Sequence, residues 1–242
     1  MNHVLTCAPF WYRAICFPVL LLAVSGCALL PQPEVYPPTE NSPTYQPTRA
    51  PAADATTTYQ IVQADLEIHT YRAGWLSTIA HNHVIETDRV SGHIWKTTPI
   101  EASTAYLQFR PWDLELDNPE SRIAAGAGFE STRTEADIEA TRTRMLGPKG
   151  FHSNDHPWVV IDIAWHSNDQ VNLQIRFREA VYPIDVPVRW SLEEDTLQAS
   201  ADFELSHRAL GIRPYSAFAG AIAVADRIRV QLDLSARPAS SL

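Results

Sequence analysis

From Tyr59 onward apolar and polar residues alternate with a period of two. Val171-Asn-Leu-Gln-Ile-Arg-Phe-Arg178, Leu197-Gln-Ala-Ser-Ala-Asp-Phe-Glu-Leu205 and Ile228-Arg-Val-Gln-Leu-Asp-Leu234 are the clearest cases. Side chains two apart on an extended chain leave the same face, so each segment turns one face to a core and the other to water. Weaker alternation covers residues 60–71, 80–96, 104–116, 158–166 and 184–191. The pattern predicts an all-β domain over residues 59–239 with about eight antiparallel strands, as a barrel or a sandwich. One segment departs from it. Thr132-Arg-Thr-Glu135 has the form of a capping box, Ala136, Ile138 and Met145 recur at near-helical spacing, and Gly147-Pro148 supplies a stop. Residues 133–146 are therefore expected to form the one substantial helix.

Ahead of the alternating region the composition changes. Pro31, Pro33, Pro37, Pro38, Pro43, Pro47 and Pro51 are scattered among Thr, Ser, Gln and Ala. Proline fixes φ and removes a donor, so residues 28–58 read as a semi-rigid spacer reaching at most roughly 90 Å. Further back, Arg13 precedes a short apolar run, Ala14 to Val24, and then Ser25-Gly26-Cys27. The run is about half of what a membrane span needs. Val24-Ser25-Gly26-Cys27 resembles the lipobox of bacterial lipoproteins, which implies a signal peptide over residues 1–26. Cys27 would then be the acylated residue, carrying a diacylglycerol and usually an amide-linked acyl chain such as palmitate. Ala28 stands where an aspartate tends to retain such proteins in the inner membrane, so the expected place is the outer membrane, facing the periplasm. All three cysteines of the chain lie at or before position 27, so no disulfide staples the domain.

At 45% hydrophobic and 19% charged residues the chain is globular, and a net charge of −9 with no clustered basic face excludes a nucleic-acid partner. No nucleophile elbow, phosphate loop or dinucleotide fingerprint is present.

Several motifs, in order, resemble the YceI-like family of periplasmic, lipocalin-like proteins. They are the opening Tyr59-Gln-Ile61, Val90-Ser-Gly-His-Ile94, Met145-Leu-Gly-Pro-Lys-Gly-Phe151 and His156-Pro-Trp-Val-Val-Ile161. Leu210-Gly-Ile-Arg-Pro-Tyr215 and Ala225-Asp-Arg-Ile-Arg-Val230 complete the set. The resemblance implies an antiparallel lipocalin-like barrel with an elongated apolar cavity, binding polyisoprenoid or long-chain amphiphiles in some members, and it does not imply catalysis. His207 stands where the family has a basic or polar residue. His81-Asn-His83 is similar to a subgroup's G-H-x-H strand, with Ala80 in place of the glycine.

The candidate ligand-binding set combines both arguments. Val159, Ile161, Ile163, Trp165, Leu173, Ile175, Phe177, Phe203, Val230 and Leu232 share the inward parity of their strands, with small Ala199 and Ala201 among them. These residues would serve a packed core equally well. His81 and His83 are two apart and take the parity of Ile79 and Ile85, and His207 that of Phe203 and Leu205, so all three are expected to point inward. His69 and His166 fall on polar faces and are expected to be exposed. Inward imidazoles could bond to backbone or hydroxyl groups, meet a ligand's polar head together with Arg208 or Arg213, or bind a metal. No carboxylate shares the His81–His83 parity, which disfavours a hydrolytic metal site. The expectation is a lipid-anchored binding protein for a hydrophobic or amphipathic small molecule, with bound lipid in place of any cofactor. The alternatives are a metal-binding or redox-accessory protein using His81, His83 and His207, and a structural lipoprotein with a packed barrel.

Overall fold

A computed structural model describes residues 54–239, which fall within one compact unit. The expected signal segment, Cys27 and the expected tether as far as Ala53 lie outside the described residues. The long first strand β1 (Thr57–Ala73) shows how a register fault hides a pattern. Tyr59 and Ile61 face the core, a bulge follows at Val62, and Ala64 and Leu66 then take over the inner face. The extra residue switches the inward set from odd to even positions.

The residues 80–96 form two strands, β2 (His83–Thr87) and β3 (Ser91–Lys96), both antiparallel to β1. Residues 104–116 likewise divide into β4 (Thr104–Phe109) and β5 (Glu115–Leu116), broken by a 3-10 turn at Pro111. Helices α1 (Pro119–Ala125) and α2 (Glu135–Leu146) follow. The remaining strands are β6 (Val159–Ser167), β7 (Gln170–Phe177), β8 (Ala180–Pro187), β9 (Arg189–Glu193), β10 (Thr196–Ser206), β11 (Ser216–Ala217) and β12 (Ile222–Pro238). The ladder runs β8-β7-β6-β4-β3-β1-β12-β10-β9, with β2 beside β1, β5 beside β2 and β11 beside β12. Among the described residues no helix is long and apolar enough to cross a membrane.

Strands β8 and β9 stand at opposite ends of this order, yet Val188 alone separates them in sequence. They are one bent strand whose first half pairs with β7 and whose second half pairs with β10. The sheet is thus a curled antiparallel barrel of the expected kind, closed by ladder pairs at β9 and lacking them between β8 and β10. The sequence of β8 explains the gap. The two-residue turn after Phe177 makes Phe177 and Ala180 a hydrogen-bonded pair, so positions 180, 182, 184 and 186 turn their amides to β7. Positions 181, 183, 185 and 187 turn theirs to β10, and two of these are Pro183 and Pro187, which have none.

Two glycines in the motifs have steric reasons. A Cβ on Gly92 of β3 would lie 2.0 Å from the Tyr106 carbonyl oxygen of β4. Gly211, at φ +65°, follows β10 in the loop beside β8, and a Cβ there would meet the Tyr182 hydroxyl at 2.3 Å.

The helical expectation needs two corrections. The cap of α2 is Thr134, whose hydroxyl accepts from the Asp137 amide while Asp137 accepts from the Thr134 amide, so the box lies two residues beyond Thr132. A second helix exists as well: α1 starts on Asn118, whose side chain accepts from the Glu120 and Ser121 amides, with Pro119 at its first position.

Candidate functional site

The barrel interior has two unlike walls. On β6 and β7, Val159, Ile163, Trp165, Leu173, Ile175 and Phe177 are all buried, with Ile161 partly so. Phe177 also stacks edge-on against Phe151, with ring centroids 5.4 Å apart. Across the barrel, the inward residues of β10 and β12 keep accessible surface: Ala199, Ala201, Phe203, Val230 and Leu232 are only partly buried. So are Tyr182 and Ile184 on β8. The accessible apolar residues therefore flank the β8–β10 gap from both sides. A groove of about 350 Å³, lined mainly by outer-face residues such as Gln63, Asp65, Arg189, Ser191, Gln198 and Asp233, also takes in Trp190, Ala199 and Leu234.

The histidines do not assemble. His83 opens β2 opposite Thr70, with its Nδ1 2.6 Å from Asp117 Oδ2. Asp117 Oδ1 accepts from the Val84 amide at 3.1 Å and from Arg122 Nη1 at 2.5 Å. Arg122 in turn donates to the carbonyls of Asn82 and Ser131, at 2.8 and 3.0 Å. The Asp117 carboxylate is fully buried and Arg122 nearly so. Burial pushes the Asp117 pKa up, but His83, the Val84 amide and Arg122 together pull it below the ordinary carboxylate value. His81 precedes the strand and is partly buried. Burial and the nearby Arg133 and His83 charges lower its pKa, against a smaller opposing effect of Asp137, so this ring is held neutral near pH 7.

His207 is elsewhere. Thr70 pairs with Ile228 and Ile228 with Leu205, so β1 and β12 separate His83 from the end of β10, about 14 Å along the sheet. The chain leaves the extended conformation at His207 (φ −54°, ψ −40°), so its strand parity no longer applies. Its ring Nδ1 lies 3.0 Å from the Asp226 carbonyl oxygen, tying the end of β10 to β12. Among the described residues no group of three or more His, Cys, Asp or Glu side chains is placed to hold a metal ion. Arg208 and Arg213 are exposed, and Arg208 pairs with Asp226.

His166 is exposed as expected. His69 is not: it is 5% exposed, with its ring 5.0 Å from Phe129 and its Nε2 against the Glu67 carboxylate. It does lie on the outer side of the sheet, but the segment after α1 folds over that side and covers it.

The sequence pattern missed Asp117 and Arg122. Asn118-Pro119, a capping residue followed by proline, marks a helix start and could have flagged the carboxylate just ahead of it.

No protein-family model matches the chain, and no curated protein matches it in sequence. Solved structures do resemble it. A polyisoprenoid-binding domain from Saccharophagus degradans, 10% identical, superposes with a TM-score of 0.51 over 76% of this chain and 99% of that one. BcnA of Burkholderia cenocepacia is 9% identical, with a TM-score of 0.47 over 71% of this chain and 95% of that one. The YceI protein of Campylobacter jejuni is 8% identical, with a TM-score of 0.42 over 63% of this chain and 83% of that one. The likeness to the Saccharophagus degradans domain shows a shared antiparallel barrel fold.

Proposed function

We propose that this protein is an envelope lipoprotein, anchored through Cys27, that holds a hydrophobic or amphipathic molecule of isoprenoid or fatty-acyl type in its barrel and performs no catalysis. The carrying observation is the partly accessible apolar wall of β10 and β12, opposite a more deeply buried wall and beside a gap in the ladder. Pockets for such ligands are apolar with a few polar groups that fix orientation. The polyisoprenoid-binding domain that shares the fold supports the same ligand class. His81, kept neutral and partly buried, and His83, set by Asp117, are the polar groups offered at the β2 end.

Native mass spectrometry of the chain extracted from its membrane tests the reading. A bound apolar molecule beyond the covalent acyl groups is the expected result, and His83→Ala should lower its occupancy while leaving metal content unchanged. A barrel that is always empty points to a structural lipoprotein. Near-stoichiometric zinc, copper or iron that His83→Ala removes would replace ligand contact by metal binding.

Anchoring has its own test. Cys27→Ser should leave the leader attached and remove the acyl mass, because the thiol is the acceptor. Equal mass and equal membrane partition in the two chains would end the lipoprotein assignment.

A further inference from the structure

At one pole of the barrel, two loops expose aromatic and aliphatic side chains side by side. The β1–β2 loop carries Trp75, 77% exposed, and Ile79, 61% exposed. The loop before β12 carries Phe218, 79% exposed, and Tyr215, 49% exposed. The Leu76 amide donates to the Ala221 carbonyl at 2.8 Å, and Ala73 pairs with Ala223, so the loops form one surface. Phe218 and Ala219 both have positive φ, 50° and 53°, a conformation that non-glycine residues adopt at a cost. The chain spends that strain on holding a phenyl ring in solvent, where an unpartnered ring gains nothing.

Charge is segregated at the same pole. The whole chain carries a net −9, yet no Asp or Glu occurs between Ala73 and Ile85 or between Leu205 and Ala225. Exposed Arg72, Arg208 and Arg213 flank the apolar residues. Two carboxylates around it are engaged: Glu130 accepts from the Gly128 amide at 2.7 Å, and Asp226 accepts from the Arg208 amide at 3.0 Å and pairs with the Arg208 guanidinium at 3.3 Å. Tryptophan and tyrosine beside arginine, on an otherwise acidic protein, is the composition of a surface that sits at headgroup depth in a bilayer.

We infer that this pole docks on the surface of a bilayer containing anionic lipid, with Trp75, Ile79 and Phe218 entering the interface and Arg72 and Arg213 meeting headgroup phosphates. Chain length permits it. Strand β1 has 17 residues and spans about 55 Å from the tether end at Thr57 to the docking pole. The stretch from Cys27 to Asp54 reaches at most about 90 Å. An anchored domain can therefore turn its far pole to a membrane.

The test uses the full chain, extracted from its membrane and reconstituted in vesicles of phosphatidylethanolamine and brominated phosphatidylglycerol, with brominated phosphatidylcholine as the neutral comparison. Tryptophan quenching is read against a Trp75→Tyr chain, so a terminal anchor contributes equally to both. The expected result is a quenched component, present in anionic vesicles and lost in Trp75→Tyr, that Phe218→Trp in that background restores. Arg72→Glu with Arg213→Glu should lower the docked fraction by on the order of tenfold. Equal quenching in wild type and Trp75→Tyr overturns the inference. So does protection of Trp75 that follows protein concentration and accompanies a dimer mass, which would make the pole a contact between copies of this chain.

Discussion

Asp117→Asn should destabilise the domain by about 3–5 kcal/mol, since it removes the charge that compensates a buried guanidinium. Arg122 is 5% exposed and has Asp117 as its ionic partner, its other contacts being carbonyls and a hydroxyl. Urea unfolding of the two proteins measures the loss, and a change below about 1 kcal/mol would mean that water or relaxation reaches Arg122. Adding Arg122→Met should restore part of the stability, because an apolar side chain needs no counter-charge at that depth. The same cluster sets an acid limit. The folded pKa of Asp117 is lowered, so its contribution is complete above the unfolded carboxylate value, about 3.9, and is lost as pH falls from there through the folded value. Wild type should therefore lose stability below about pH 4 more steeply than Asp117→Asn.

This cluster was also the part of the molecule least legible in the sequence. His83 and Asp117 are 34 positions apart and meet because the two-residue strand β5 lies on β2. No alternation of residue types announces so short a strand. Strands β7 and β10 were plain because each keeps one inward parity along its length. Strand β1 was blurred by the bulge at Val62, and the expected segment 184–191 straddled the bend at Val188 because Pro183 hid the first half of β8. Parity placed His69 on the outer face correctly. Its burial depends on Phe129, which arrives from a loop 60 positions later and follows no period. The inward apolar set was legible as a set, whereas the difference between its two walls was not. That difference comes from the missing β8–β10 ladder, a property of closure and not of any one strand.

The two walls predict opposite outcomes for the same substitution. Phe177→Ala should destabilise the protein by about 3–5 kcal/mol, because the ring is 3% exposed and packs against both Phe151 and Tyr182. Its removal leaves a void that the β6–β7 wall cannot collapse to fill. Phe203→Ala should cost the empty protein clearly less, since that ring already gives part of its surface to solvent beside the gap. Its larger effect should fall on ligand retention, where a ring in contact with an acyl or prenyl chain loses its burial and that of the chain together. Denaturant midpoints of the two variants, with bound apolar mass measured in parallel, separate the walls. Equal destabilisation, with unchanged occupancy in Phe203→Ala, would make the β10–β12 side ordinary core and leave the gap without a ligand to admit.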